Sequence, residues 1–572
     1  MASRWQFLQL SCSLISSAMS QTTCETAWCT TSSFPGPSEI QQHFSATWAA
    51  LNVPVEVSFT TRSADESVLL LASMSRIQNE YADRNIALRI VVDGIHDVSR
   101  WNAGGSEAWN YDSMSMHGVV SGLNVGSHTA ALQYYVDSGS AAWIPGGDAN
   151  GDGYFHLTAH PVPSSQLVTS SYTGGPDLSY VCNSGAATTW AALPTPMQIS
   201  FTVGSGESVL LLADISRVQH NTHNDMNTWL RILVDGTQEV AMANTGNSGG
   251  WLYDAIGMHA VASGLSPGPH TAALEYFTSS GTVCIPLHDV AGEGFVRMTA
   301  HTVPSSQLAT SYRGRSYDDI DLTSQDHHEY ATATTWAALP TPMQVSFTVG
   351  SGESVLLLAD VARVQHEASH VNTALRILVD GTHMVALANT GDSGGWAFDA
   401  ISMHGVASGL STGPHTAALE YLTQSGTVAF RHDYLGYSSF RLTATNLPPP
   451  PSPPPPPSPP PSPLPPSALS TGCISDADCA HGEVCLTSSA GRRLFGMSSA
   501  GGPGQCGLAS GSRRKRMLEK TPDNVGTLAY SGFKLAYGSR HSRQPGRKLE
   551  NVQGVHTAGR IRPSDLATNS TG

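Results

Sequence analysis

Asp148, Asn150 and Asp152 alternate along one short segment, followed by Gly153 and Tyr154. Carboxylate and amide oxygens at the first, third and fifth positions suit a hard cation, so the segment is a candidate calcium loop, with the Tyr154 carbonyl as a further ligand. The twelfth position is Ala159, where a full loop would supply a bidentate glutamate. Asx-Gly clusters also build hairpin turns, so a turn is the competing reading. Calcium is the only cofactor this chain suggests.

Three tryptophans offer a different chemistry. Trp109, Trp251 and Trp396 each stand beside glycine or polar residues, where an indole could stack on a sugar ring or pack into the fold. Histidines recur at matching places, as His117, His259 and His404 and again as His128, His270 and His415. Their triplication predicts that each serves its own domain by capping or packing a turn; metal ligation is the alternative. Arg76, Arg217 and Arg363, with Asp93, Asp235 and Asp380, could form salt bridges or polar pairs for a sugar.

Catalysis finds less support. Gly-x-Ser-x-Gly occurs only in Gly- and Ser-rich turn segments such as 391–395, not as a strand-to-helix elbow. His-Glu-x-x-His occurs at 366–370, but within a strand-patterned repeat and not on a helix, and the chain has no phosphate-binding loop. A glycan-active enzyme would need two carboxylates flanking the scissile bond, and the sequence identifies no such pair. No residue is therefore assigned a catalytic role.

The elements that must position these side chains repeat three times. Trp190-Ala-Ala-Leu-Pro-Thr-Pro-Met returns at Trp336 and, diverged, at Trp48; Glu-Ser-Val-Leu-Leu-Leu-Ala begins at Glu66, Glu207 and Glu353. Leu-Arg-Ile-x-Val-Asp-Gly ends at Gly94, Gly236 and Gly381, and His-Thr-Ala-Ala-Leu-x-Tyr ends at Tyr134, Tyr276 and Tyr421. A period near 145 residues is a whole domain. Val345-Ser-Phe-Thr-Val alternates apolar and polar residues as a half-buried strand does, and Asp380-Gly381 can supply the positive φ angles of a tight hairpin. With no amphipathic helix in view, the expected fold is all-β: three tandem antiparallel β-sandwiches of jelly-roll-like type over residues 38–168, 185–310 and 331–446. The strand pattern resembles that of the jelly-roll modules of extracellular lectin-like and C1q/TNF-like proteins, an analogy of architecture that does not by itself assign a function.

From Pro448 to Pro466 the chain holds only proline, three serines and Leu464, which enforces a polyproline II rod within residues 447–467. Nineteen such residues extend roughly 60 Å at about 3.1 Å each. This segment resembles the rods of green-algal hydroxyproline-rich cell-wall glycoproteins of the pherophorin type. That resemblance implies hydroxylation, O-glycosylation and a spacer role in an extracellular matrix.

Cys473, Cys479, Cys485 and Cys506 crowd residues 472–507, a segment too short for a core, and read as a two-disulfide module with its pairing open. Cys24 with Cys29, and Cys182 with Cys284, are further candidate pairs. Residues 508–572 read as a disordered basic tail; residues 507–572 carry 12 Lys/Arg against 4 Asp/Glu, although the chain totals −15. An acidic body argues against nucleic acid as partner. Residues 1–37 read as a leader containing a weak signal peptide, and no apolar run is long enough to span a membrane. The expectation is a non-enzymatic extracellular or cell-surface adhesive protein whose partners are matrix polysaccharides or glycoproteins, with a lectin-like array as the alternative.

Overall fold

A computed structural model describes residues 30–447, apart from connecting segments that include 106–110, 145–153, 174–180, 248–251, 315–327, 393–397 and 432–438. The architecture is all-β and antiparallel, with strands carrying most of the described residues. The rod, the four-cysteine module, the basic tail, Cys24 and Cys29 lie outside the described residues.

Each repeat is a two-layer sandwich. In the second, an outer sheet runs in the order Ala191–Val203, Gly268–Thr278, Met226–Val234, Gln238–Asn247. Its partner sheet runs Leu167–Thr173, Phe295–Pro304, Glu207–His220, Leu252–Ala262. The outer-sheet strand Gly268–Thr278 alternates buried and half-buried residues, so one face meets the core and the other meets solvent. Each sandwich has its own core, for example Leu88, Ile90 and Leu132 in the first, and Leu230, Ile232 and Leu274 in the second.

The Ser-Val-Leu-Leu-Leu-Ala segment behaves differently. It belongs to strands of 13 or 14 residues, Glu66–Asn79, Glu207–His220 and Ser354–His366, buried on both faces. Val68, Leu70 and Ala72 face their own sandwich core. Leu69 and Leu71 point the other way and meet Leu210, Leu212, Leu356 and Leu358 in a fourth core shared by all three repeats. Burial on both sides is why the run lacks alternation.

The sheets close a ring around this shared core. The outer sheet of repeat one continues into the partner sheet of repeat two where Gly104 and Gly105 pair with Tyr253 and Leu252. Repeat two joins repeat three at Gly246 and Phe398, and repeat three returns to repeat one at Gly391 and Tyr111. Each of these joins covers one sheet edge with the edge of the next repeat.

Linkers take part in the sheets as well. Leu167–Thr173 leaves repeat one and pairs with Phe295–Pro304 of repeat two, and Leu308–Gly314 pairs with Ser439–Leu447 of repeat three. Thr30–Pro35 takes the same place against Tyr154–Pro163 of repeat one. Residues assigned from sequence to a leader thus supply a strand, and Thr-Ser-Ser-Phe at 31–34 matches Thr-Ser-Ser-Tyr at 169–172.

Candidate functional site

On the solvent face of each outer sheet the Leu-Arg-Ile strand aims its arginine outward while the flanking Leu and Ile fill the core. A tryptophan from the opening Trp-Ala-Ala-Leu segment lies over that guanidinium. Arg89 stands 4.5 Å from the Trp48 ring centre, Arg231 stands 4.3 Å from Trp190 and Arg376 stands 4.3 Å from Trp336. The three indoles are half-buried. A second aromatic flanks two of them, with Tyr135 at 5.8 Å from Trp48 and Phe277 at 5.8 Å from Trp190.

The arginine is oriented from below. Arg231 donates through Nε and Nη2 to Glu275 Oε2 at 2.9 and 2.7 Å, and through Nη1 to Glu239 at 3.2 Å. Arg376 makes the same Nε and Nη2 bonds to Glu420 at 2.9 and 2.6 Å. In repeat one, Gln133 takes the glutamate's place at 3.0 and 2.7 Å, and Asp97 accepts from Arg89 Nη1 at 3.0 Å. Burial pushes the Glu239 carboxyl up, Arg231 opposes that shift, and the neighbouring Glu275 charge adds to it. The result in every repeat is a flat, polarisable ring on a rigid sheet with amide or carboxylate acceptors beside it, an arrangement that can stack on a sugar face and hydrogen-bond its hydroxyls.

These tryptophans were not the ones singled out from the sequence. Trp109, Trp251 and Trp396 lie outside the described residues, as do Asp148, Asn150 and Asp152. Tyr154 opens a strand, and its backbone N–H donates to Ser75 Oγ at 2.8 Å. Among the described residues, no group of three or more His, Cys, Asp or Glu side chains could hold a metal.

The two histidine sets have opposite roles. His270 Nδ1 meets Asp235 at 2.6 Å and its Nε2 meets the Ser266 carbonyl at 2.7 Å, while Asp235 also accepts from Thr271 N–H at 2.9 Å. His128 with Asp93, and His415 with Asp380, repeat the geometry. These residues clamp the hairpin turn, as a turn-capping role requires. The aspartates pair with histidine, whereas Arg76 donates to Gln78 at 3.2 Å beside a strand irregularity.

His117 and His259 correct the expectation that each such histidine serves its own domain. His117 Nδ1 lies 2.5 Å from Asp214 of repeat two, and its Nε2 lies 3.0 Å from Thr299. His259 likewise reaches Asp360 and Thr443 of repeat three, at 2.6 and 3.1 Å. His404 returns to repeat one, where Ser73 Oγ donates to its carbonyl at 3.1 Å. Sequence periodicity cannot reveal this, because equivalent contacts within and between copies have the same spacing.

Cys182 stands opposite Cys284 in adjacent strands, and Cys284 is disulfide-bonded. Among the described residues, no helix is long and apolar enough to cross a membrane.

No family model matches the chain, and no curated protein matches it. Among solved structures it is similar to the β-porphyranase BpGH86A of Bacteroides plebeius, at 8% identity and a TM-score of 0.14, over 49% of this chain and 37% of that one. It is also similar to the tandem CBM22-1–CBM22-2 domain of Paenibacillus barcinonensis Xyn10C, at 9% identity and a TM-score of 0.14, over 46% of this chain and 97% of that one. The chain thus spans little more than a third of the porphyranase.

Proposed function

We propose that this chain is an extracellular adhesive protein that binds polysaccharide through three equivalent platforms, one on the outer sheet of each repeat. The triplicated tryptophan over a carboxylate- or amide-anchored arginine carries the reading. A half-exposed indole set immediately before a strand and packed on the platform arginine loses little freedom on binding, and three weak sites on one ring gain avidity on a repetitive polymer. The proline rod would hold the ring away from a wall or matrix, and the disulfide at Cys284 fits an oxidising compartment.

Binding without turnover fits the side chains better than catalysis. Both ring nitrogens of His128, His270 and His415 are engaged, so none of them is available as a general base. Glu239 and Glu275 form a carboxylate pair in repeat two, but both are bonded to Arg231.

Affinity electrophoresis of the full chain through gels containing neutral polysaccharides tests this. Replacing one of Trp48, Trp190 or Trp336 with alanine should weaken retention by about threefold to tenfold, a stacking contribution of roughly 1 kcal/mol. Replacing all three should abolish retention while leaving the thermal transition nearly unmoved. Retention indifferent to the triple change would refute the platforms, and polysaccharide cleavage lost in Glu239→Gln would replace the binding reading with a catalytic one.

A further inference from the structure

Where the strands Tyr154–Pro163, Phe295–Pro304 and Ser439–Leu447 end, the core shared by the three repeats gives way to a cavity of about 260 Å3. Its inner wall includes Leu69 and Leu356, both buried in that core, and Pro163 and Pro304 at its rim are exposed. Strand register gives the reason for the space. Opposite Leu69, Leu210 and Leu356 stand His160, His301 and Thr445. Two repeats thus bring an imidazole to the cavity, with ring centres 5.9 Å apart, and the third brings a smaller threonine that leaves its sector open.

Neutral polar groups complete the wall. The recurring Ser-Ser-Gln turns supply Gln166 and Gln307, and Asn446 follows Thr445. Asn446 donates through Nδ2 to the Thr348 carbonyl at 2.7 Å and to Glu353 at 3.2 Å, which leaves its own carbonyl oxygen to accept. Burial, together with the neighbouring His160 ring, lowers His301 to about 3, so the imidazole stays neutral and offers one N–H and one lone pair. Among the described residues that line the cavity there is no carboxylate, ammonium or guanidinium group.

On the same carbohydrate reading, but independently of the tryptophan platforms, we propose that this cavity is a separate site for the terminal unit of an uncharged saccharide, a single polyhydroxylated ring entering end-on. Leucine, valine and proline surfaces suit the C–H face of such a ring, and the amides and imidazoles suit its hydroxyls. A charged ring would bury its charge without a partner. The volume falls below the roughly 300–1,000 Å3 of pockets that take drug-sized ligands, which matches one ring and not an oligomer. A flat platform meets a polymer along its length, whereas a cavity walled by three repeats admits an end.

The test is a saturation-transfer NMR titration of the full chain with D-galactose, D-mannose and D-xylose, their β-1,4-linked tetramers, and galacturonate and glucuronate as charged comparisons. Each titration is repeated with Trp48, Trp190 and Trp336 replaced by alanine, which silences the platforms. At least one neutral sugar should bind in both backgrounds, with its tetramer binding at least as tightly and the uronates about tenfold more weakly. Thr445→His gives repeat three the residue of its sisters, fills the open sector and should abolish this binding. Gln166→Ala with Gln307→Ala changes half-exposed turns, leaves the core intact and should weaken binding about threefold to tenfold. Sugar binding that survives both of these changes, or that disappears with the three tryptophans, overturns the cavity site and assigns the sugar to the platforms. Rejection of a tetramer whose monomer binds overturns end-on entry, and uronates that bind as tightly as neutral sugars overturn the selectivity. Failure of every neutral sugar to bind the unaltered chain overturns the cavity inference, while retention in polysaccharide gels decides the platforms separately.

Discussion

Asp93, Asp235 and Asp380 occupy the left-handed region at φ of 52°, 49° and 50°, a conformation that costs most residues energy and that aspartate tolerates when its carboxylate is bonded locally. The histidine bond supplies that compensation. The hydrogen bond to Asp235 holds His270 above the ordinary imidazole range, aided by the Ser266 carbonyl, and the same bond holds Asp235 below the usual carboxylate range. The stabilising effect of a raised histidine is complete below its unfolded value and fades as pH rises through the folded one. That of a lowered aspartate is complete above its unfolded value and fades as pH falls through the folded one. The clamp is therefore strongest in the mildly acidic range between the two. We expect His270→Ala to lower the melting temperature more at pH 5.5 than at pH 8.5, and a pH-independent difference in calorimetry would remove the ionic component of the clamp.

At the scale of elements, close approach of strands limits what side chains fit. A Cβ added at Gly405 would lie 2.0 Å from the Val385 carbonyl oxygen, which is backbone and has nowhere to go. The matching Gly118 would meet the end of Val98 at 2.5 Å, a side chain that can rotate, and repeat two carries Ala260 there already. Gly405→Ala should thus destabilise by about 1–3 kcal/mol through overpacking and Gly118→Ala by less, as urea midpoints would show; equal effects would mean that the strands of repeat three part freely. The sandwich fold was legible in the sequence because alternating strands and Asp-Gly turns are local signals, repeated three times. The platforms were only half legible. Trp190 and Arg231 both lie in recurrent motifs, but their juxtaposition depends on strand register across about 40 residues. The doubly buried strands carried a signal that was available, because apolar residues of both parities in Val-Leu-Leu-Leu require a second core and hence a neighbour.

At the scale of the molecule, ring closure depends on three seams that are not alike. Cross-strand partners Asp214 and Arg297 line the first, and Asp360 and Arg441 line the second, with the arginines donating to the His117 and His259 carbonyls at 3.3 and 2.6 Å. The closing seam has Ser73 and His156 at those positions. His156 and His404 lie 6.2 Å apart there, with both ring nitrogens of His156 and Nε2 of His404 buried and unpartnered. The groups facing them are Tyr154, Ser73 and the Leu71 carbonyl, and no carboxylate acts on either ring. Burial lowers His156 to about 4, and burial together with the other ring lowers His404 to about 3. Above pH 6.5 both rings are neutral in the closed and opened forms alike; as pH falls from there toward 4 the opened form takes up protons that the closed form refuses, and stability is lost. For His156 alone the loss by pH 4 is roughly 3 kcal/mol. Arg297, lowered by burial only to about 10, stays charged throughout. Acidification should therefore open the closing seam first, with amide exchange rising at 73–74, 155–157 and 402–404 before the matching strands of the other seams. The double change Ser73→Asp with His156→Arg installs the charge pair of the sister seams and should carry the ring intact to lower pH. Exchange that rises uniformly at all three seams, or a double variant that opens at the same pH, would show instead that the ring yields as one body.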